Sequence, residues 1–200
     1  LYTDPTGGMN AERIAGFNDL IDIWQPEVNI LKRDPELVQW MRDNAREFLA
    51  YEATDPGKNL KPLGYYRAWG WFADHFGLDG WGWWVYRYED TWWAHAGGDW
   101  TVVYPNRGES VPSRRWEAAR DGVEDYKMLK LLAAAIETMP ETQAAEAQAL
   151  RDEAVHALAA WQIGPIDEIT RSTRPYDTDF ARLQDYRRRI ADVLIKAAAP

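Results

Sequence analysis

Cysteine is absent from this chain. That excludes disulfide staples and thiolate metal sites, and leaves the redox compartment open. Histidine is scarce, and His75, His95 and His156 are scattered. A zinc centre built on imidazoles is therefore not expected, and no metal or other cofactor is implied. No apolar run reaches the roughly 18 to 20 residues that a membrane helix needs. No secretory leader is visible. Positive charge is also short, with 23 Lys and Arg against 32 Asp and Glu and a formal net charge of -9. Such a surface does not attract nucleic acid or anionic membranes. The 46% of hydrophobic residues in 200 exclude disorder for the chain as a whole.

Aromatic side chains are what the chain has in excess. Residues 80 to 93, GWGWWVYRYEDTWW, hold five tryptophans and two tyrosines. Eight of the twelve tryptophans fall between positions 69 and 100. A core is filled well by Leu, Ile and Val. Tryptophan offers a flat apolar face and one N–H donor, which suits a partner that is apolar on one side and wet on the other. Sugars are such partners. Trp69 and Trp81 can equally fill space between a helix and a sheet. Trp92 and Trp93 lie past a strand end among charged neighbours, where burial is not required and stacking on a sugar is open.

The pattern over the first 93 residues alternates. Asn10 caps a short helix, about 11 to 17. A strand follows from Asp19 to Trp24. Asp34-Pro35 supplies an N-cap and a first-turn proline, with Leu37, Val38 and Met41 on one face of the helix. Phe48, Leu49 and Tyr51 make the next strand. Lys61-Pro62 opens a helix through Phe76, and Gly77 ends it. Trp81 to Tyr86 is a further strand. This spacing predicts βαβ units and a parallel sheet. Residues 94 to 112 form a Gly- and Pro-containing loop with a short β run, Thr101 to Tyr104. Ser113 caps a helix of about 114 to 138, and further helices cover about 141 to 161 and 178 to 198. Two divisions result. Residues 1–112 carry partial barrel strands and helices, and 113–200 carry C-terminal helices that pack on them.

Function in parallel sheets gathers at the C-terminal ends of strands. Those ends read Trp24-Gln25-Pro26-Glu27, Tyr51-Glu52 and Tyr86-Arg87-Tyr88-Glu89, all aromatic and acidic. Glu27, Glu52 and Glu89 suit a glycosidase acid or base. They suit equally well hydrogen bonds to sugar hydroxyls, or pairing with Arg67 and Arg87. Asp99, after two glycines, reads as a turn residue. In 113 to 132, SRRWEAARDGVEDYKMLKLL, the pairs Arg120–Glu124 and Glu117–Arg120 have ion-pair spacing. Gly122 inside that helix costs about 1 kcal/mol relative to alanine, so it implies close packing against another element.

The order of these stretches resembles glycoside hydrolase family 123. The residues concerned are the Tyr65-Tyr66-Arg67 helix, Gly77-Leu78-Asp79-Gly80-Trp81-Gly82-Trp83-Trp84, Gly97-Gly98-Asp99-Trp100-Thr101-Val102-Val103-Tyr104-Pro105, and the segment from Ser113 to Tyr126. The likeness runs over about residues 15 to 132 and matches the C-terminal part of that catalytic domain. It implies the C-terminal half of a (β/α)8 barrel, α/β in class, followed by C-terminal helices. It also implies β-N-acetylgalactosaminidase-type, substrate-assisted hydrolysis. There the substrate's acetamido oxygen attacks the anomeric carbon, an Asp orients the amide, and the following Glu protonates the leaving oxygen. The family's Asp-Glu pair belongs on an earlier barrel strand. Asp152-Glu153 lies in a predicted helix and Asp167-Glu168 in a late loop, so no catalytic acid is assigned here. Leu1-Tyr2 reads as the end of a strand within a longer protein. The chain would then supply the sugar-binding wall through Trp24, Tyr51, Glu52, Arg67, Trp83, Trp84 and Tyr86, with Glu52 and Arg67 binding hydroxyls or each other. The partner implied is a carbohydrate. Exposed strand edges imply self-association or pairing with the missing N-terminal barrel half. The family suggests export, to an extracellular or periplasmic location. A non-catalytic carbohydrate-binding protein and a purely structural barrel fragment remain as alternatives.

Overall fold

A computed structural model describes residues 1–5, 10–52, 63–83, 86–87, 101–106, 108–163 and 180–198. The chain is mixed α/β, mostly helical, with a small parallel sheet. Its described residues divide into two compact units. Residues 1–5, 10–52, 77–83, 86–87, 101–106 and 108–113 form one, and residues 63–76, 114–163 and 180–198 form the other.

The first unit is built on four parallel strands that lie side by side in chain order. They are β1 (Tyr2–Thr3), β2 (Ile23–Trp24), β3 (Glu47–Glu52) and β4 (Gly80–Trp83). Helix α1 (Ala11–Ala15) starts where expected, because the Asn10 side chain accepts from the Arg13 N–H. The strand expected over 19 to 24 shrinks to Ile23–Trp24, and its first half is a 3-10 turn, Asn18–Leu20. Asn18 and Asp19 favour such turns over a ladder. Helix α2 (Val28–Arg33) has no counterpart in the sequence reading. It is six residues long and rich in Val, Asn and Ile, so neither length nor propensity announces it. Helix α3 (Pro35–Asn44) follows at once, capped by Asp34 on the Leu37 N–H.

Leu37, Val38 and Met41 of α3 are buried as the spacing predicts. Trp40 presents its ring to Trp24 edge-on at 5.8 Å, and the Arg42 guanidinium lies 5.6 Å from the centre of the Phe48 ring. Trp24 and Phe48 are register partners, so both occupy the face of the sheet that α3 covers. Asp79 closes the β3–β4 edge. Its carboxylate accepts from the Phe48 N–H at 2.9 Å, and its own N–H donates to the Phe48 carbonyl at 2.8 Å. After β4, the Tyr86 carbonyl accepts from the N–H groups of Val102 and Val103. The β run expected at 101 to 104 begins at Tyr104 instead. A hairpin, β5 (Tyr104–Asn106) with β6 (Glu109–Val111), turns through Gly108 at φ +91.

The second unit is helical. A π-helical turn, Leu63–Arg67, leads into α4 (Trp69–His75). Gly77, at φ +60, follows its last turn as the spacing predicts. Long helices α5 (Arg114–Ile136), α6 (Glu141–Ile163) and α7 (Phe180–Ala197) complete the unit. Ser113 precedes α5, and its hydroxyl donates to the Val102 carbonyl. Trp69, Gly70, Trp71, Phe72, Ala73 and Asp74 are all buried. A helix hidden all round is a central one, so the tryptophans at 69 and 71 are core.

The crossing of α4 and α5 is set by two glycines. A Cβ on Gly70 would stand 2.1 Å from the Gly122 carbonyl oxygen, and a Cβ on Gly122 would stand 2.7 Å from the Arg67 carbonyl oxygen. The close packing read from Gly122 is therefore present, with a backbone and not a side chain as its partner. Replacing Gly122 by Ala forces that backbone apart. The expected loss is about 3 kcal/mol or more, with secondary structure retained at low temperature, as read by urea unfolding. A midpoint equal to wild type would remove this account of the crossing.

Candidate functional site

Close contact between α4 and α5 brings a set of charges together. Asp125 lies one helical turn beyond Gly122 and has no exposed surface. Its carboxylate accepts from Arg67 Nε at 2.8 Å, Arg67 Nη2 at 3.2 Å and Trp71 Nε1 at 3.1 Å, and pairs with Arg187 Nε at 2.9 Å. Asp121 lies 3.5 Å from Arg67 Nη1, so two arginines face two carboxylates. Arg67 is 1% exposed and occupied by this network. Its partners are Asp125 and Asp121. The expected pairing with Glu52 rests on a side chain outside those described. Breaking a buried pair from one side leaves an uncompensated charge, at about 3 to 5 kcal/mol. Along the exposed side of α5, Arg120 pairs with Glu117 at 2.7 Å as expected. Glu124 pairs with Lys127 instead of Arg120.

Asp152 and Glu153 are likewise held by structural contacts. Asp152 accepts from Gln148 at 2.7 Å, and Glu153 accepts from the Tyr186 hydroxyl at 2.8 Å and from Arg189 at 3.3 Å. Arg151 joins Asp74 at 2.7 Å. The pair Asp167-Glu168 lies outside the described residues.

What remains for chemistry is the C-terminal edge of the sheet. Its geometry follows from the register. Tyr2 pairs with Ile23, Ile23 with Glu47, Leu49 with Gly80, Tyr51 with Gly82, and Glu52 with Trp83. An isolated parallel bridge joins Glu27 to Tyr51, and the Tyr51 N–H donates to the Pro26 carbonyl at 3.1 Å. Side chains alternate along a strand. Trp24, Phe48, Ala50, Trp81 and Trp83 therefore share one face, the one on which α3 meets Trp24 and Phe48. Gln25, Leu49, Tyr51, Gly80 and Gly82 share the other, with Glu27 in register beside Tyr51. Three contacts agree with this division. The Tyr2 hydroxyl donates to Gln25 Oε1, a Cβ on Gly80 would lie 3.0 Å from Leu49, and a Cβ on Gly82 would lie 3.1 Å from Gln25 Nε2.

The expected aromatic wall is thus divided between two faces. Trp24 is 2% exposed in the core, its indole N–H buried without an acceptor. Trp83 is half-buried, and its ring meets Trp81 edge-on at 6.5 Å. Tyr51 is half-buried on the opposite face. Tyr86 is 51% exposed in a bend after β4, and the neighbouring Arg87 donates to the Gly108 carbonyl at 2.8 Å. Trp84, Glu89, Trp92, Trp93, His95 and Asp99 lie outside the described residues.

Sequence reasoning named Glu27 for its place at a strand end. It did not single out Gln25, whose amide crosses β3 to donate to the Ala50 carbonyl at 3.1 Å. The signal was present in the glycine at position 82, which leaves room for a neighbour's side chain. Among the described residues, no three His, Asp or Glu side chains converge to hold a metal, and no helix is long and apolar enough to cross a membrane. No protein-family model matches the chain, and no curated protein sequence matches it.

Of the histidines, His75 ends α4 and is held below the usual imidazole range. Burial is the main cause, the charge of His156 adds to it, and Asp74 opposes it. A pKa lowered on folding gives stability that is present above the unfolded value near 6.5 and lost as the pH falls through the folded one. Replacing His156 by Gln should raise the His75 midpoint in an NMR titration. An unchanged midpoint would show that the two rings do not interact.

Proposed function

We propose that this chain forms the sugar-binding wall of a glycoside hydrolase acting on N-acetylhexosaminides, similar to β-N-acetylgalactosaminidases of glycoside hydrolase family 123. The observation that carries the reading is the C-terminal edge of the parallel sheet. Glu27 bridges Tyr51 there, Glu52 registers with Trp83, and Tyr86 stands open just beyond. Carboxylates accept from sugar hydroxyls and aromatic rings stack on apolar sugar faces. Four parallel strands in chain order are also what half of a (β/α)8 barrel contains, which supports the half-barrel reading.

The reaction would be substrate-assisted. The acetamido oxygen of the substrate closes on the anomeric carbon as the glycosidic oxygen takes a proton and leaves. This chain binds and orients the sugar and does not supply the acid. No cofactor enters the scheme. A covering partner for the exposed strand edges is part of the proposal, either a second copy or the other barrel half.

A second reading, a non-catalytic carbohydrate-binding protein, has one observation in its favour. Asp152-Glu153, the one Asp-Glu dipeptide among the described residues, is held by Gln148, Tyr186 and Arg189. Tryptophan fluorescence titrated with N-acetylgalactosamine, against glucose as control, tests what both readings share. A saturable change specific to the acetamido sugar is expected. No change in folded protein would leave the tryptophans as core and remove both. Hydrolysis of a chromogenic N-acetylgalactosaminide by the full protein then separates the enzyme from the binding protein.

A further inference from the structure

We infer that the outer edge of β1, together with the turn before β2, is a docking surface for an extended polypeptide segment that carries apolar side chains flanked by Lys or Arg. The inference goes beyond the sugar-binding reading and does not depend on it. Among the described residues β1 is the outermost strand on its side of the sheet. The Leu1 carbonyl accepts from the N–H groups of Asp22 and Ile23, and the Thr3 carbonyl accepts from Gln25. Backbone groups alternate in direction along a strand, so the N–H and carbonyl of Tyr2 point outward. No described strand pairs with them there.

Apolar side chains stand beside this edge. Leu1, Tyr2, Phe17 and Leu20 are 51 to 69% exposed. The Leu20 N–H donates to the Phe17 carbonyl at 2.9 Å, and Asp22, two residues on, is bonded to Leu1, so the four belong to one neighbourhood. Soluble proteins guard an open edge with charge, proline or a covering element. An edge that presents apolar groups instead is a surface for a partner.

Charge decides which partner fits. Up to residue 22, Asp4, Glu12, Asp19 and Asp22 are set against Arg13 alone, and all five are exposed. The Asp22 carboxylate also holds the Leu1 amine. Over the described residues the sheet unit has 12 Asp and Glu against 6 Lys and Arg, while the helical unit has 12 against 12. The excess negative charge thus resides in the unit that owns this edge. A second copy meeting it across a two-fold axis would set the same carboxylates against each other, which costs binding energy. A basic segment gains from them. Its backbone would pair with Tyr2 as an added strand, and its apolar side chains would cover Phe17 and Leu20.

The test is fluorescence anisotropy of labelled synthetic peptides titrated with the full chain. One peptide alternates Val with Lys, a second Val with Glu, and a third Ser with Lys. Only the Val–Lys peptide should bind saturably, and high salt should weaken it by on the order of tenfold. Phe17→Ser combined with Leu20→Ser should weaken it by a similar factor, as should Asp4→Asn combined with Asp19→Asn. Leu131→Ser, at a side chain 62% exposed on α5, serves as the control and should change nothing. The inference falls if the Val–Lys peptide does not bind, if either other peptide binds as well, or if both double variants bind like wild type. It falls also if sedimentation shows a dimer that Phe17→Ser with Leu20→Ser takes apart, because the occupant is then a second copy. Should that variant fail to fold, Asp4→Asn with Asp19→Asn decides alone.

Discussion

Two glycines that let one helix lie against another at backbone distance are the constraint on which the helical unit depends. Gly70 and Gly122 have no room for a methyl group, because each faces a carbonyl oxygen of the other segment. This contact puts Arg67 and Trp71 within reach of Asp125, one turn further along α5. The carboxylate is dry, so it needs all of its partners. Two from the α4 side and Arg187 from α7 satisfy it. Packing and charge are therefore one arrangement here. The glycines set the distance and the carboxylate requires it. A run that looks like a surface helix in sequence, Arg-Asp-Gly-Val-Glu-Asp-Tyr, turns out to contain three positions that face inward to this contact.

The same logic of spacing and register shapes the sheet. Period-two alternation sorts the strand ends into a face covered by α3 and a partly open one, where Tyr2, Gln25 and Tyr51 stand among Ile23 and Leu49. Tryptophan abundance alone does not reveal that division. Trp24, Trp81 and Trp83 fall on the face shared with the core, and the hydrogen-bonding groups fall on the other. The aromatic richness of the chain thus has at least two causes. Trp69 and Trp71 fill a helical core, and Trp71 also donates to a buried carboxylate, which a leucine in its place would leave short of a donor.

What could be read from sequence was local. Asn10 and Asp34 announce their helices because each side chain caps a free N–H within three residues. Leu37, Val38 and Met41 declare a face, and Gly77 declares a stop. Helix α2 was hidden, because a six-residue helix has too few turns to show a period. The length of β2 was obscured by Asn18 and Asp19, which suit a turn as well as a strand end. Partners far apart in the chain were out of reach altogether. Arg67 and Asp125 are 58 positions apart, and nothing local marks them as a pair. Gln25 needed the glycine two strands away to become visible as a cross-strand donor. For the site, strand ends could be located, but which face each side chain takes depends on register, and register is a property of pairing.

Helix α4 lies between two strands of the sheet in the chain, yet its packing partners are α5 and α6 from the C-terminal part. Neither unit is a single continuous stretch of chain. During synthesis from the N-terminus, the four strands leave the ribosome before α5 begins at Arg114. Until then Trp69, Trp71 and Phe72 of α4 lack the helices that bury them, and Arg67 has no carboxylate from α5. The early part of the chain therefore holds a greasy helix in waiting, a species that favours aggregation or chaperone binding. Completion of the last helices ends that interval. Cutting the chain at any one point does not release a finished unit, because each unit is assembled from more than one stretch of chain.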